Sequence, residues 1–94
     1  MPSMQQPAEM TFLAFLKGLV VEAQVQLGVL PHPVTGERGI NLAYAKATIR
    51  IVEMLREKSQ GNLTPEEEDY LRGALTGLKN RLKLAEDQAE TLRQ

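Results

Sequence analysis

His32 is the chain's only histidine, and its 94 residues contain no cysteine. Thiolate nucleophiles, disulfide staples and cysteine-based zinc sites are therefore excluded. A transition-metal site would need carboxylates converging on His32, and no spacing in the sequence arranges this. Flanked by Pro31 and Pro33, His32 reads as an exposed loop residue. The acidic run Glu66-Glu67-Glu68-Asp69 has the composition of a divalent-cation site. Four consecutive helical residues point in different directions, however, so the run does not converge on one ion. No glycine-rich phosphate loop and no nucleophile elbow occurs. The carboxylates are numerous, but none has a context that implies burial or acid–base tuning. These readings lead to the expectation of a non-enzymatic protein without cofactor or metal.

Basic residues raise a different chemistry. Lys79, Arg81 and Lys83 cluster in the last third of the chain, with Arg72 shortly before them. Lys79 and Lys83 share a helical face, whereas Arg81 points away. Single-stranded nucleic-acid binding by such a cluster usually comes with aromatic platforms on which the bases stack. Phe12, Phe15, Tyr44 and Tyr70 are the only aromatic residues, and none is interleaved with those bases. Eleven basic residues against twelve acidic ones leave a formal net charge of -1, without the global basicity of an electrostatic nucleic-acid binder. Contact through Arg72, Lys79 and Lys83 is accordingly the alternative reading, and nucleic acid is not the expected partner.

The elements that position these residues follow from periodicity. The length fits one domain over 11–94, preceded by a flexible polar tail over 1–10. That tail lacks a basic region and a small-residue cleavage site, so a cytoplasmic location is expected. Residues 11–30 are rich in apolar side chains but are interrupted by Lys17, Glu22, Gln24 and Gln26, which argues against a membrane span. Within them Phe12, Leu16, Leu19, Val20, Ala23, Leu27 and Leu30 recur at steps of three and four, the stripe of an amphipathic helix. Gly28 and Pro31 supply its stop signals. A second apolar face, Ala14, Gly18, Val21 and Val25, lies opposite that stripe. Two apolar faces require two covering partners. The sequence therefore predicts that a second chain covers one of them.

Residues 31–41 hold two prolines and two glycines and read as a connection. Gly36 is expected at a tight turn with positive φ, with Val34 and Ile40 pinning the loop ends to the core. Asn41 is a good N-cap for a second helix over 42–60, with Gly61 as its left-handed terminator. Leu42, Ala45, Ile49, Val52 and Leu55, joined by Tyr44, Thr48 and Ile51, are its predicted core side. Lys46, Arg50, Glu53 and Glu57 form a charge row that reads as a solvated face. In Gly61-Asn62-Leu63-Thr64-Pro65-Glu66-Glu67, Thr64 caps the third helix, Pro65 takes its first position and Glu67 closes a capping box. The acidic run then faces the positive end of the helix dipole.

The third helix, over 65–92, carries Leu71, Leu75, Leu78, Leu82, Ala85, Ala89 and Leu92 in unbroken heptad spacing. At its 1.5 Å rise it would be about 42 Å long, against a diameter of about 32 Å for a compact globule of this size. The excess is expected to leave Leu82, Ala85 and Leu92 partly bare until another chain covers them. The predicted oligomer interface is thus Ala14, Gly18, Val21, Val25, Leu78, Leu82 and Ala85.

Several of these residues carry a family resemblance. Thr35-Gly36-Glu37, then Asn41-Leu42 with Ala45-Lys46 and Ile49, then Leu55 with Lys58-Ser59-Gln60-Gly61-Asn62-Leu63-Thr64 and Glu66-Glu67 resemble the bacterial family known as domain of unknown function 1844. The similarity covers roughly residues 12–84, and the Gly-Asn-Leu-Thr block is its most specific part. The chain departs from the family pattern at Lys58-Ser59, where Lys-Thr is usual, and at Arg50, where an acid often stands. The resemblance implies a short, all-helical cytoplasmic protein and no particular activity.

Together these readings predict an all-α protein whose three helices, about 11–30, 42–60 and 65–92, form a helical bundle completed by dimerisation. The expected function is a homodimeric interaction or scaffold role, with no membrane and no metal.

Overall fold

A computed structural model describes residues 10–93, so the predicted tail lies almost wholly outside the described residues. Three helices follow in order: α1 (Phe12–Gln26), α2 (Leu42–Lys58) and α3 (Pro65–Arg93), with no strand among the described residues. The all-α, three-helix reading is correct.

Each helix begins where its capping residue permits. The Thr11 hydroxyl accepts from the Ala14 N–H at 3.0 Å, and the Asn41 side chain accepts from the Tyr44 N–H at 3.1 Å. At α3 the Thr64 N–H donates to Glu67 Oε1 at 2.9 Å while the Glu67 N–H donates to the Thr64 hydroxyl at 3.1 Å, which is the capping box in full. The first helix ends earlier than its apolar periodicity implies. Gly28 adopts φ 77°, and the N–H groups of Val29 and Leu30 turn back to the Gln24 carbonyl at 2.9 and 3.3 Å. Gly61 closes the α2–α3 turn at φ 87°.

Every helix contributes one of the largest fully buried side chains: Leu16 from α1, Val52 from α2 and Leu71 from α3. Around them close Val20, Ala23, Leu27, Ala45, Ile49, Leu75 and Leu78. Burying a side chain of this kind contributes about 1.5–3 kcal/mol. Thr48 is the one buried polar residue among those described, and its hydroxyl donates to Gln26 Oε1 at 2.7 Å.

α2 and α3 run antiparallel, as three ion pairs establish. Lys46 reaches Glu86 at 2.8 Å, Glu53 pairs with Lys79, and Arg56 meets Glu68 at 2.5 Å. Two members of the α2 charge row, Lys46 and Glu53, thus reach across to α3, while Lys46, Arg50 and Glu57 stay exposed as a solvated face requires. α1 packs against both α2 and α3, its Lys17 ammonium 5.7 Å from the centre of the Tyr70 ring of α3.

The body is elongated, with a radius of gyration of 15.7 Å and a long axis of 57 Å. A compact chain of this length would have a radius near 12 Å. The 29-residue α3, about 43 Å long at 1.5 Å per residue, is the longest element of that body. Its seam is nevertheless covered further than expected, because the start of α2 reaches Glu86.

Candidate functional site

The second apolar face of α1 lies on the surface. Ala14 and Gly18 are exposed, Val21 is 48% exposed, and Val25 is half-buried. A Cβ built on Gly18 would have no neighbour within 4 Å. Phe15, on the flank of the same helix, is 46% exposed. On the outer side of α2, Tyr44, Ile51 and Met54 are also exposed, which takes Tyr44 and Ile51 out of the predicted core. The core side of α2 is narrower than its apolar pattern suggests: Ala45, Thr48, Ile49 and Val52 complete the contact with both neighbouring helices.

The other half of the predicted interface is not a surface. Leu78 and Ala85 are 3% and 8% exposed within the chain's own core, and Leu82 is half-buried against it. These three face α1 and α2, so they are corrected to core positions. The exposed apolar residues of α3 are instead Leu84 and Leu92, with Leu92 87% exposed past the end where α3 meets the first turns of α2. Heptad spacing alone cannot separate them, because it does not tell how far a neighbouring helix extends along the seam.

The loop over 31–41 leans on the exposed face of α1. His32 and Pro33 join Gly18, Val21, Glu22 and Val25 around a shallow pocket of about 350 Å³. His32 Nδ1 accepts from the N–H of Val34 at 3.0 Å and of Thr35 at 3.4 Å, closing a side-chain turn within the loop. Gly36 has φ 73°, the turn conformation its position calls for. Val34 and Ile40 do not pin the loop to the core: they are 85% and 58% exposed. Backbone hydrogen bonds hold it instead, from the His32 N–H to the Glu37 carbonyl and from the Asn41 N–H to the Gln26 carbonyl, both at 2.8 Å.

A groove of about 360 Å³ runs between α1 and α3, floored by Gly73 and Gly77 and closed at its end by Arg81. Its walls are Val20, Gln24 and Val29, with no acid–base pair in the lining.

The three basic residues of the alternative reading are engaged with acids. Arg72 pairs with Asp69 at 2.6 Å, Lys79 with Glu53, and Lys83 approaches Asp87 at 3.9 Å. The hydrogen bond from Lys79 holds the Glu53 carboxyl below its ordinary value of 4.5, against the opposing effect of partial burial. Burial pushes the Tyr70 phenol above its ordinary 10.0. Of the acidic run, Glu67 caps α3, Glu68 pairs with Arg56 and Asp69 with Arg72. Among the described residues no group of three His, Cys, Asp or Glu side chains is placed to hold a metal ion, and no helix is long and apolar enough to cross a membrane.

Residues 9–86 match the family described as a domain of unknown function, DUF1844. The chain belongs to this family. The match spans all of α1 and α2, the 31–41 loop and α3 as far as Glu86. No curated protein and no solved structure matches the chain.

Proposed function

We propose that this member of the DUF1844 family is a non-enzymatic, homo-oligomeric interaction or scaffold protein of the bacterial cytoplasm. The observation that carries the reading is the outer face of α1. Its opposite side already fills the core with Leu16, Val20, Ala23 and Leu27, yet Ala14, Gly18 and Val21 remain in water. An apolar face left over after the core has closed is characteristic of an association surface.

The basic set supports nucleic-acid binding less well. Arg72, Lys79 and Lys83 each lie against a carboxylate, which reduces the positive field available to phosphates.

Light scattering on the purified chain at micromolar concentration tests the reading. The expected mass is a multiple of the 10.5 kDa protomer. A strict monomer would overturn it, and unchanged association after Val21→Glu with Val25→Glu would show that the outer face of α1 is not the interface.

A further inference from the structure

The outer face of α1 carries more than apolar area. Ala14, Gly18, Val21 and Val25 follow steps of four, three and four, so Gly18 and Val25 occupy the a positions of a heptad and Ala14 and Val21 the d positions. In that frame Lys17 falls at g and Glu22 at the following e. These are the only two charged residues of α1.

Neither makes an ion pair with another described residue, although seven such pairs are formed elsewhere, chiefly on α2 and α3. Lys17 has only its contact at 5.7 Å with the Tyr70 ring. Both charged side chains are exposed.

A g residue and an e residue five positions later are the partners that meet across two parallel helices related by a two-fold axis. In an antiparallel pair like flank meets like flank, and Lys17 would face the Gln24 side of its partner. We infer that two copies of this chain pair α1 against α1 in parallel, with Val21 on Val21 at the two-fold axis and Lys17 of each protomer bridging Glu22 of the other. This rests on the self-association proposed above and specifies its geometry.

Other features of α1 agree with that arrangement. A Cβ on Gly18 would meet nothing within 4 Å, and the His32–Pro33 segment leaves a shallow pocket beside Gly18, Val21 and Val25 rather than filling the seam. Phe15, at the e position of the preceding heptad, is 46% exposed and extends the apolar strip along that flank.

The absence of native cysteine makes the test clean. In the full chain, Val21→Cys is expected to form a disulfide-linked dimer under mild oxidation, because the parallel arrangement sets residue 21 against itself. Lys17→Glu and Glu22→Lys are each expected to weaken dimerisation by roughly tenfold, since two attractions become two repulsions. Mixing the two variants should give a heterodimer, and placing both reversals in one chain should restore the homodimer.

If the wild-type chain is a dimer while the charge variants associate normally, the parallel pairing is overturned and self-association stands. The same conclusion follows even if Val21→Cys cross-links, since an antiparallel pair centred on Val21 would do so too. If the wild-type chain is a monomer, the parallel pairing and the self-association fail together.

Discussion

Gln26 and Thr48 join the end of α1 to the middle of α2 through a 2.7 Å hydrogen bond that the buried Thr48 hydroxyl donates to the Gln26 side chain. The backbone carbonyl of the same Gln26 accepts from the Asn41 N–H at 2.8 Å. One residue therefore fixes both the helix that precedes the long loop and the point where the chain re-enters the bundle. A buried hydroxyl without a partner is costly, so the pair specifies how α1 and α2 meet.

Removing one partner should cost more than removing both. Gln26→Leu leaves the Thr48 hydroxyl unsatisfied and is expected to destabilise the fold by about 1–3 kcal/mol. Thr48→Val in the same background should recover much of that loss. Urea denaturation of the single and double variants gives the coupling, and strict additivity would show that the bond contributes nothing specific.

Acid should weaken the seam between α2 and α3 through Glu53. Its carboxyl titrates below the ordinary 4.5 in the folded chain, mainly because Lys79 donates to it. A depressed carboxyl stabilises the fold above the unfolded value and loses that contribution as pH falls through the folded one. Glu53→Gln is therefore expected to lower stability by about 0.5–1 kcal/mol at neutral pH. The difference from the parent should close once the parent carboxyl is protonated. A gap that persists undiminished at about pH 2–3, after allowance for acid unfolding, would exclude the ion pair as its cause.

Glycines in this chain should respond in opposite directions to the same substitution. Gly73 and Gly77 lie within α3 with helical backbone and no atom within 4 Å of an added Cβ, so alanine at either should stabilise by about 0.5–1 kcal/mol. Gly28 has φ 77°, and its added Cβ would lie 3.0 Å from Ile40 Cγ1 and 3.3 Å from the Gly39 carbonyl oxygen. Gly28→Ala should destabilise by more than about 1 kcal/mol. Thermal denaturation of the three variants decides the point, and a stabilised Gly28→Ala would contradict the backbone assignment.

The parts of the fold that depend on local chemistry are legible in the sequence. Asn41, Thr64 with Glu67, Gly36 and Gly61 act within a few residues of themselves, and each does so in the structure. The end of α1 is not legible in the same way, because Leu27 and Leu30 continue the apolar spacing past the helix. Leu27 is still buried in the core, but Gly28 turns the backbone there.

Contacts between distant elements are the least accessible. The spacing of Lys46 matches it to acids of its own helix, whereas its partner is Glu86 of α3. Ala85 looks bare from the length of its helix alone, since the reach of α2 along that helix is not written in any local pattern. The second face of α1 emerges from periodicity alone, and Val21 at 48% exposure lies where that periodicity puts an uncovered apolar residue.

The Lys46–Glu86 and Glu53–Lys79 pairs have one further effect. Their partners are seven residues apart on both helices, with the charges alternating along each. Sliding α3 along α2 by one heptad would keep leucines facing the core, so apolar burial alone barely opposes it. The slide in one direction sets Glu53 against Glu86, and in the other it sets Lys46 against Lys79. The charges thus penalise the two displacements that the leucines tolerate, giving the bundle a single register along its length.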